Sequence, residues 1–187
     1  MQTEKKFRHL SKKKKMSKKK KKQPQFTKKE YNSNDGMMTA IWGPSTWHLL
    51  HSISFNYPES PTKKEQVHYK NFILSFRNIL PCGKCRINLV KNFKKLPLEN
   101  HHMKTRETFS KYIFHLHEVV NEMLGKSSGL SYEKVRNTYE QFRARCVNGQ
   151  NDHLNINEKG CIVPVYGERN KCVLQIVPEN KMCRTFI

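Results

Sequence analysis

The sequence predicts a mainly α-helical domain of four helices and a short fifth, with a small β-hairpin extension on its C-terminal side. Apolar residues recur at i, i+3, i+4 and i+7 in stretches between Trp42 and Leu124, the spacing of a helix with one buried face. Pro58, Pro81, Pro97 and Gly125 punctuate those stretches, where helices stop. Beyond Cys146 the pattern changes to short β-branched runs around a Gly167-Glu168-Arg169-Asn170 turn, as in a hairpin.

Charge separates the N-terminal stretch from the rest. Residues 1–36 hold 14 Lys and Arg against 3 acids, +11 of the total +21, which leaves +10 on the other 151 residues. With lysine runs at 12–15 and 18–22 and almost no apolar residue, this stretch is expected to be a disordered tail. Its charge suits a solubilising or nuclear-import segment, or a tether to nucleic acid or another polyanion. The turn residues Asn32 to Gly36 mark a boundary, giving a tail (1–36), a helical domain (37–146) and an extension (147–187). No apolar run approaches the ~18 residues of a membrane helix, and lysines stand where a signal peptide needs an apolar segment. The expected location is cytoplasmic, with the nucleus as an alternative.

The helices follow in order. Trp42-Gly43-Pro44-Ser45-Thr46-Trp47 opens a helix to about Tyr57, with Trp47, Leu50, His51 and Ser54 on one face; a core aromatic and a core histidine, or a wall for a flat ligand, both fit that face. Thr62-Lys63-Lys64-Glu65 is a capping box, and its helix carries Tyr69, Phe72, Ile73, Phe76 and Leu80 at core spacing up to Pro81. A third helix is expected from Cys82 to Lys95. The fourth, from about Thr105 to Leu124, has an apolar face (Phe109, Tyr112, Ile113, Leu116, Val120, Met123) beside a strip of Phe114, His117, Asn121 and Leu124. Polar groups in such a strip need partners, either a neighbouring helix or the edge of a polar planar ligand. Ser131 caps a fifth helix reaching about Arg145, with Val135, Tyr139 and Phe142 facing inward. The hairpin is expected to pair Cys161 to Tyr166 with Lys171 to Val177.

Cys82-Gly83-Lys84-Cys85 follows a packed helix and opens the next. A thiolate in the first turn of a helix is stabilised by free N–H groups and the helix dipole, which favours redox chemistry. The same spacing also serves zinc, with His115 or His117 and a tail cysteine as further ligands, so the pair alone leaves a zinc-binding module open. A basic nucleic-acid-binding module is the other alternative. Six cysteines are many for a reducing compartment, which fits a protein that makes disulfides.

The motifs W-G-P-S-T-W-H-L-L-H (42–51), P-C-G-K-C (81–85) and H-L-H-E-V-V-N-E-M-L-G-K (115–126), in that order, resemble the Erv/ALR sulfhydryl oxidases, particularly those of large DNA viruses. The resemblance spans about residues 41–146. It implies a four-helix bundle with a short fifth helix holding FAD, commonly a homodimer, in the host cytoplasm or virion if viral. It also implies an FAD-linked thiol oxidase that forms disulfides in protein dithiol substrates and passes electrons through FAD to O2 to give H2O2, without a metal. Cys82 and Cys85 are then the catalytic cysteines, with Cys82 facing substrate and Cys85 facing the flavin. FAD contacts fall on Gly43, Trp47, His51, Phe55, His117, Asn121 and Lys126, with Tyr139 in place of a family tryptophan.

Two departures are visible. Pro44 stands where the family often has arginine, and Phe114 and Tyr132 stand where many members have a structural disulfide, so packing must hold the fifth helix. In the tail, a Cys161–Cys172 bridge within the hairpin is expected to act as a staple, with a dithiol shuttle among Cys146, Cys161, Cys172 and Cys183 as the alternative.

Overall fold

The computed structural model describes residues 26–147, 160–178 and 180. The lysine runs and Cys183, for which the sequence raised expectations, lie outside the described residues. The chain divides into two units, Met1–Asn34 and Asp35–Ile187. In the first, α1 (Lys28–Tyr31) is a single turn with a complete Thr27/Glu30 capping box and no buried residue. That turn lies in a stretch for which sequence predicts no structure.

In the second unit, α2 (Thr39–Phe55), α3 (Lys63–Ile79), α4 (Gly83–Lys95) and α5 (Arg106–Met123) are the four expected helices, and α6 (Tyr132–Glu140) is the short fifth. A 3-10 turn over Asn100–Met103 leads into α5. The capping box at Thr62 and Glu65 forms as read, and Ser131 caps α6. Gly125 ends α5 in the left-handed region at φ 67°, where a side chain would be strained. The bundle packs α2 on α5 and α3 on α4, and α6 lies against α2. Tyr57, Ile73, Met103, Phe109, Tyr112, Ile113 and Leu116 are almost fully buried between these helices. The buried hydroxyls are satisfied: Tyr57 donates to the Met103 carbonyl at 2.9 Å and Tyr112 to that of Leu96 at 3.0 Å.

Four expectations are corrected. Helix α2 starts at Thr39, about a turn before Trp42, and runs through Pro44; the indole N–H of Trp42 donates to the Met37 carbonyl at 3.1 Å and fixes that earlier turn. Phe72 is exposed at the rim of α3, edge-on to Phe76. Helix α6 stops at Glu140, because Arg143 folds back to pair with Glu140 and donate to the Phe55 carbonyl at 2.8 Å. This leaves Phe142 exposed, and residues 144–147 become a strand instead.

The hairpin exists with different strands. β1 (Ala144–Val147) pairs antiparallel with β2 (Gly160–Pro164), while Lys171 to Val177 form no regular structure. Cys146 lies opposite Cys161 in the register, and these two form a disulfide; Cys172 is a free, exposed thiol. Direct opposition across a strand pair brings the two thiols within bonding reach, which overturns the Cys161–Cys172 bridge. Pro164 ends β2, where its missing N–H costs little.

Candidate active site

Positions 43, 47, 51 and 55 on α2 are four residues apart, so they fall along one side of the helix, and 117 and 121 do the same on α5. Packing α2 on α5 brings these rows together. The indole of Trp47 and the imidazole of His117 stack with centroids 3.9 Å apart and planes within 8°. His51 Nε2 lies 3.1 Å from His117 Nδ1. Behind them Phe55 is buried and stacks on His51 and Tyr139. The Tyr139 hydroxyl meets His48 Nδ1 at 3.2 Å.

A cavity of about 730 Å³ opens beside this stack, lined by Gly43, Trp47, His51, His117, Asn121, Lys126 and Tyr139 together with Cys85. That volume suits a large organic ligand. Seven of the eight residues expected at a cofactor thus share one wall; Phe55 supports the wall from behind. Asn121 donates from Nδ2 to Glu118 at 2.9 Å, and its carbonyl accepts the Lys126 N–H at 2.8 Å, which holds the turn after α5 at the cavity edge.

The electrostatics keep the histidines neutral. Burial lowers the His51 pKa to about 4, with smaller contributions from His117 and His48. Burial also lowers that of His117, against the pull of Glu118. Two neutral imidazoles share one hydrogen bond, and His51 Nδ1 is left as the one buried side-chain nitrogen or oxygen without a partner among the described residues. An orphaned buried nitrogen is costly unless a ligand completes it. A zinc site would need histidine, cysteine or carboxylate side chains to converge. No group of three or more such ligands assembles among the described residues.

At the far side of the cavity Cys82 and Cys85 form a disulfide at the start of α4. Cys82 is the N-cap, and the Cys85 amide donates to its sulfur at 3.2 Å. Cys85 lines the cavity and Cys82 does not. Thr39 Oγ1 lies 3.7 Å from Cys85 Sγ. A strap before α2 crosses Cys82: the Met37 amide donates to the Pro81 carbonyl at 2.7 Å. A Cβ on Gly36 would lie 3.0 Å from both Cys82 Cα and the Pro81 carbonyl oxygen, so a larger residue there would push the strap off the CxxC loop by a few tenths of an ångström.

Sequence reasoning missed Thr39, His48, Asn92 and the Gly36 strap. Asn92 is buried in the cavity wall between Leu89 and Phe93, and a polar residue at that core spacing was a usable signal. The strap had none, because its role depends on a contact between residues 36 and 82.

The Erv1 / Alr family profile matches residues 44–143. A probable FAD-linked sulfhydryl oxidase of Acanthamoeba polyphaga mimivirus is 36% identical over 100 residues, covering 54% of this chain and 69% of that protein. An FAD-linked sulfhydryl oxidase of African swine fever virus is 33% identical over 100 residues, covering 54% and 81%. The crystal structure of the FAD binding domain of Erv1 from Saccharomyces cerevisiae superposes with a TM-score of 0.50 at 26% identity, covering 55% of this chain and 94% of that one.

Proposed function

The chain belongs to the Erv1 / Alr family, and from that premise we propose how its own residues divide the work of an FAD-dependent thiol oxidase. The observation that carries this reading is one cavity lined both by the Trp47–His117 stack and by Cys85. A flat, polar-edged cofactor fits that wall: it offers an aromatic surface, and His51 Nδ1 lacks a partner. Gly43, Trp47, His51, His117, Asn121, Lys126 and Tyr139 would hold FAD, with Phe55 packed behind. When bound, FAD supplies a two-electron acceptor for the reduced cysteine pair.

The cysteines act by thiol–disulfide exchange. A substrate thiolate attacks Cys82 Sγ, forming a mixed disulfide as the Cys82–Cys85 bond breaks and Cys85 leaves as a thiolate. The second substrate thiol, losing its proton, attacks the substrate sulfur of that mixed disulfide. The substrate leaves as a disulfide, two electrons poorer, and the Cys82–Cys85 pair is left reduced. Cys85 is the cofactor-facing member, a reading supported by its place in the cavity wall. The N-cap position and the Cys85 amide stabilise negative charge on Cys82 as it is released.

Protein dithiols as substrates, O2 as final acceptor with H2O2 as product, and a homodimer belong to the same proposal. No helix among the described residues is long and apolar enough to cross a membrane, and the likeness to viral enzymes supports a host-cytoplasm or virion setting. Purified protein should be yellow and oxidise a small dithiol with stoichiometric H2O2. A colourless preparation that FAD cannot reconstitute overturns the reading.

A further inference from the structure

The chain around the cysteine pair is one-sided in charge. Between Glu65 and Glu99 there is no Asp or Glu, and seven Lys or Arg fall in that interval. Three of them are engaged: Lys95 pairs with Glu122, Lys70 donates to Asn100, and the Arg86 guanidinium holds the Leu80 carbonyl ahead of the CxxC. Arg77, Lys84, Lys91 and Lys94 have no acidic partner among the described residues. Lys84, Lys91 and Lys94 recur at i, i+7 and i+10 on α4, an exposed stripe leading away from the disulfide for about 15 Å. Asp35, on the strap, already has a partner.

Apolar side chains stand out of the surface around the same disulfide. Ile79 and Ile87 are 63% and 61% exposed, and Met37 and Met38 are each 71% exposed. Ile79 precedes Cys82 by three residues and Ile87 sits within the α4 stripe. The methionines are tied to the CxxC loop through the hydrogen bond from Met37 to Pro81. Large apolar groups rimmed by charge, next to a reactive group, have the anatomy of a docking surface, and methionine suits varied partners.

We propose that this face docks acidic protein segments carrying the dithiol to be oxidised. Ile79, Ile87 and the two methionines take apolar residues near the substrate cysteines, while Arg77, Lys84, Lys91 and Lys94 select Asp and Glu flanking them. The proposal rests on the thiol-oxidase reading and names its substrate class. An extended segment leaving Cys82 along α4 keeps its carboxylates within a Debye length, about 8 Å at physiological salt, of the lysine stripe. Like charges on a basic segment would be repelled there, so the surface selects as well as attracts.

The test compares two synthetic dithiol peptides, identical except for Glu or Lys at the flanking positions, with neutral dithiothreitol as reference. Full-length enzyme should oxidise the acidic peptide with kcat/KM at least about tenfold above the basic one at low salt, a gap that closes as salt rises. In an Arg77→Glu/Lys91→Glu/Lys94→Glu variant the preference should invert while dithiothreitol turnover stays within about twofold. Equal kcat/KM for the two peptides, with dithiothreitol still oxidised, overturns this inference and leaves the oxidase intact. Equal rates combined with charge-dependent binding of an oligonucleotide overturn it in favour of a nucleic-acid surface. Failure to oxidise dithiothreitol at all sinks the oxidase reading itself.

Discussion

Among the described residues the chain holds two disulfides in opposite surroundings. Cys82–Cys85 caps a 13-residue helix, has the bundle and a large cavity behind it, and lies in an interval without acids. Cys146–Cys161 joins two exposed residues facing each other across a short two-stranded sheet. A two-stranded sheet is marginal alone, and a cross-link supplies what packing does not. On the proposed mechanism the first bond is broken and remade in each turnover, while the second stays closed.

The sharpest way to break that contrast is to remove each bond. Cys82→Ser or Cys85→Ser should lower small-dithiol turnover on the order of a thousandfold or more, because the two sulfurs act as one unit, while bound flavin is retained. Cys146→Ser or Cys161→Ser should leave that turnover within about twofold and instead destabilise the sheet, by about 3 kcal/mol on the loop-closure estimate. A large loss of small-dithiol turnover in the tail variants would give the second disulfide a catalytic part and end the distinction. Next in size is the cavity wall. Trp47→Ala or His117→Ala should cost at least about tenfold in FAD affinity by removing one face of the stack, measured as flavin absorbance per protein after dialysis. Unchanged retention would move the cofactor off this wall.

Acid should act on the bundle through its buried histidines. The pKa of His51 is about 4 in the fold against an ordinary 6.5, so between those values the unfolded chain binds more protons. This contribution to stability is complete above pH 6.5 and is lost as pH falls toward 4, by on the order of 3 kcal/mol in all. His117 shifts in the same direction. Urea midpoints at pH 7 and pH 5 should therefore differ, and His51→Gln should shrink the difference. An undiminished pH dependence in that variant would take His51 out of the account.

What was legible in the sequence was what local pattern dictates. Thr27-Lys28-Lys29-Glu30 and Thr62-Lys63-Lys64-Glu65 are the same motif, and both form capping boxes. The second starts 17 helical residues because Tyr69, Ile73 and Phe76 follow at core spacing; the first stops after one turn because no apolar face follows. Capping nucleates and burial propagates, so the first box was overlooked while the second could be read. The cavity wall was visible for a related reason, as polar residues at helical spacing on otherwise apolar faces. The hairpin misled because both Cys161 to Tyr166 and Lys171 to Val177 have strand composition. The strand that does pair, Ala144–Val147, looked like the end of a helix until Arg143 turned back toward Phe55. Partner choice in a sheet is non-local, and composition carries little of it.

Helix α6 offers the finest test, because it joins the bundle without a cross-link among the described residues. The rings of Phe114 and Tyr132 meet edge to face at 6.0 Å, and Phe55 stacks on Tyr132 at 6.1 Å. Lys111 and Arg136 lie over the Tyr132 ring at 5.4 and 5.9 Å. Its hydroxyl meets Ser110 Oγ at 2.8 Å, and Ser110 also donates to the Arg106 carbonyl at 2.8 Å. If packing is the staple, Tyr132→Phe keeps the ring contacts and removes one link of a hydrogen-bond chain. Ser110 keeps its carbonyl partner, so no buried donor is orphaned. The expected loss is about 1 kcal/mol, read from urea unfolding, with flavin content and dithiol turnover unchanged. A loss beyond about 3 kcal/mol, or release of flavin, would mean that this single hydroxyl and not the packed rings fixes α6 to the bundle. The chain would then hold α6 by a polar clasp and not by packing.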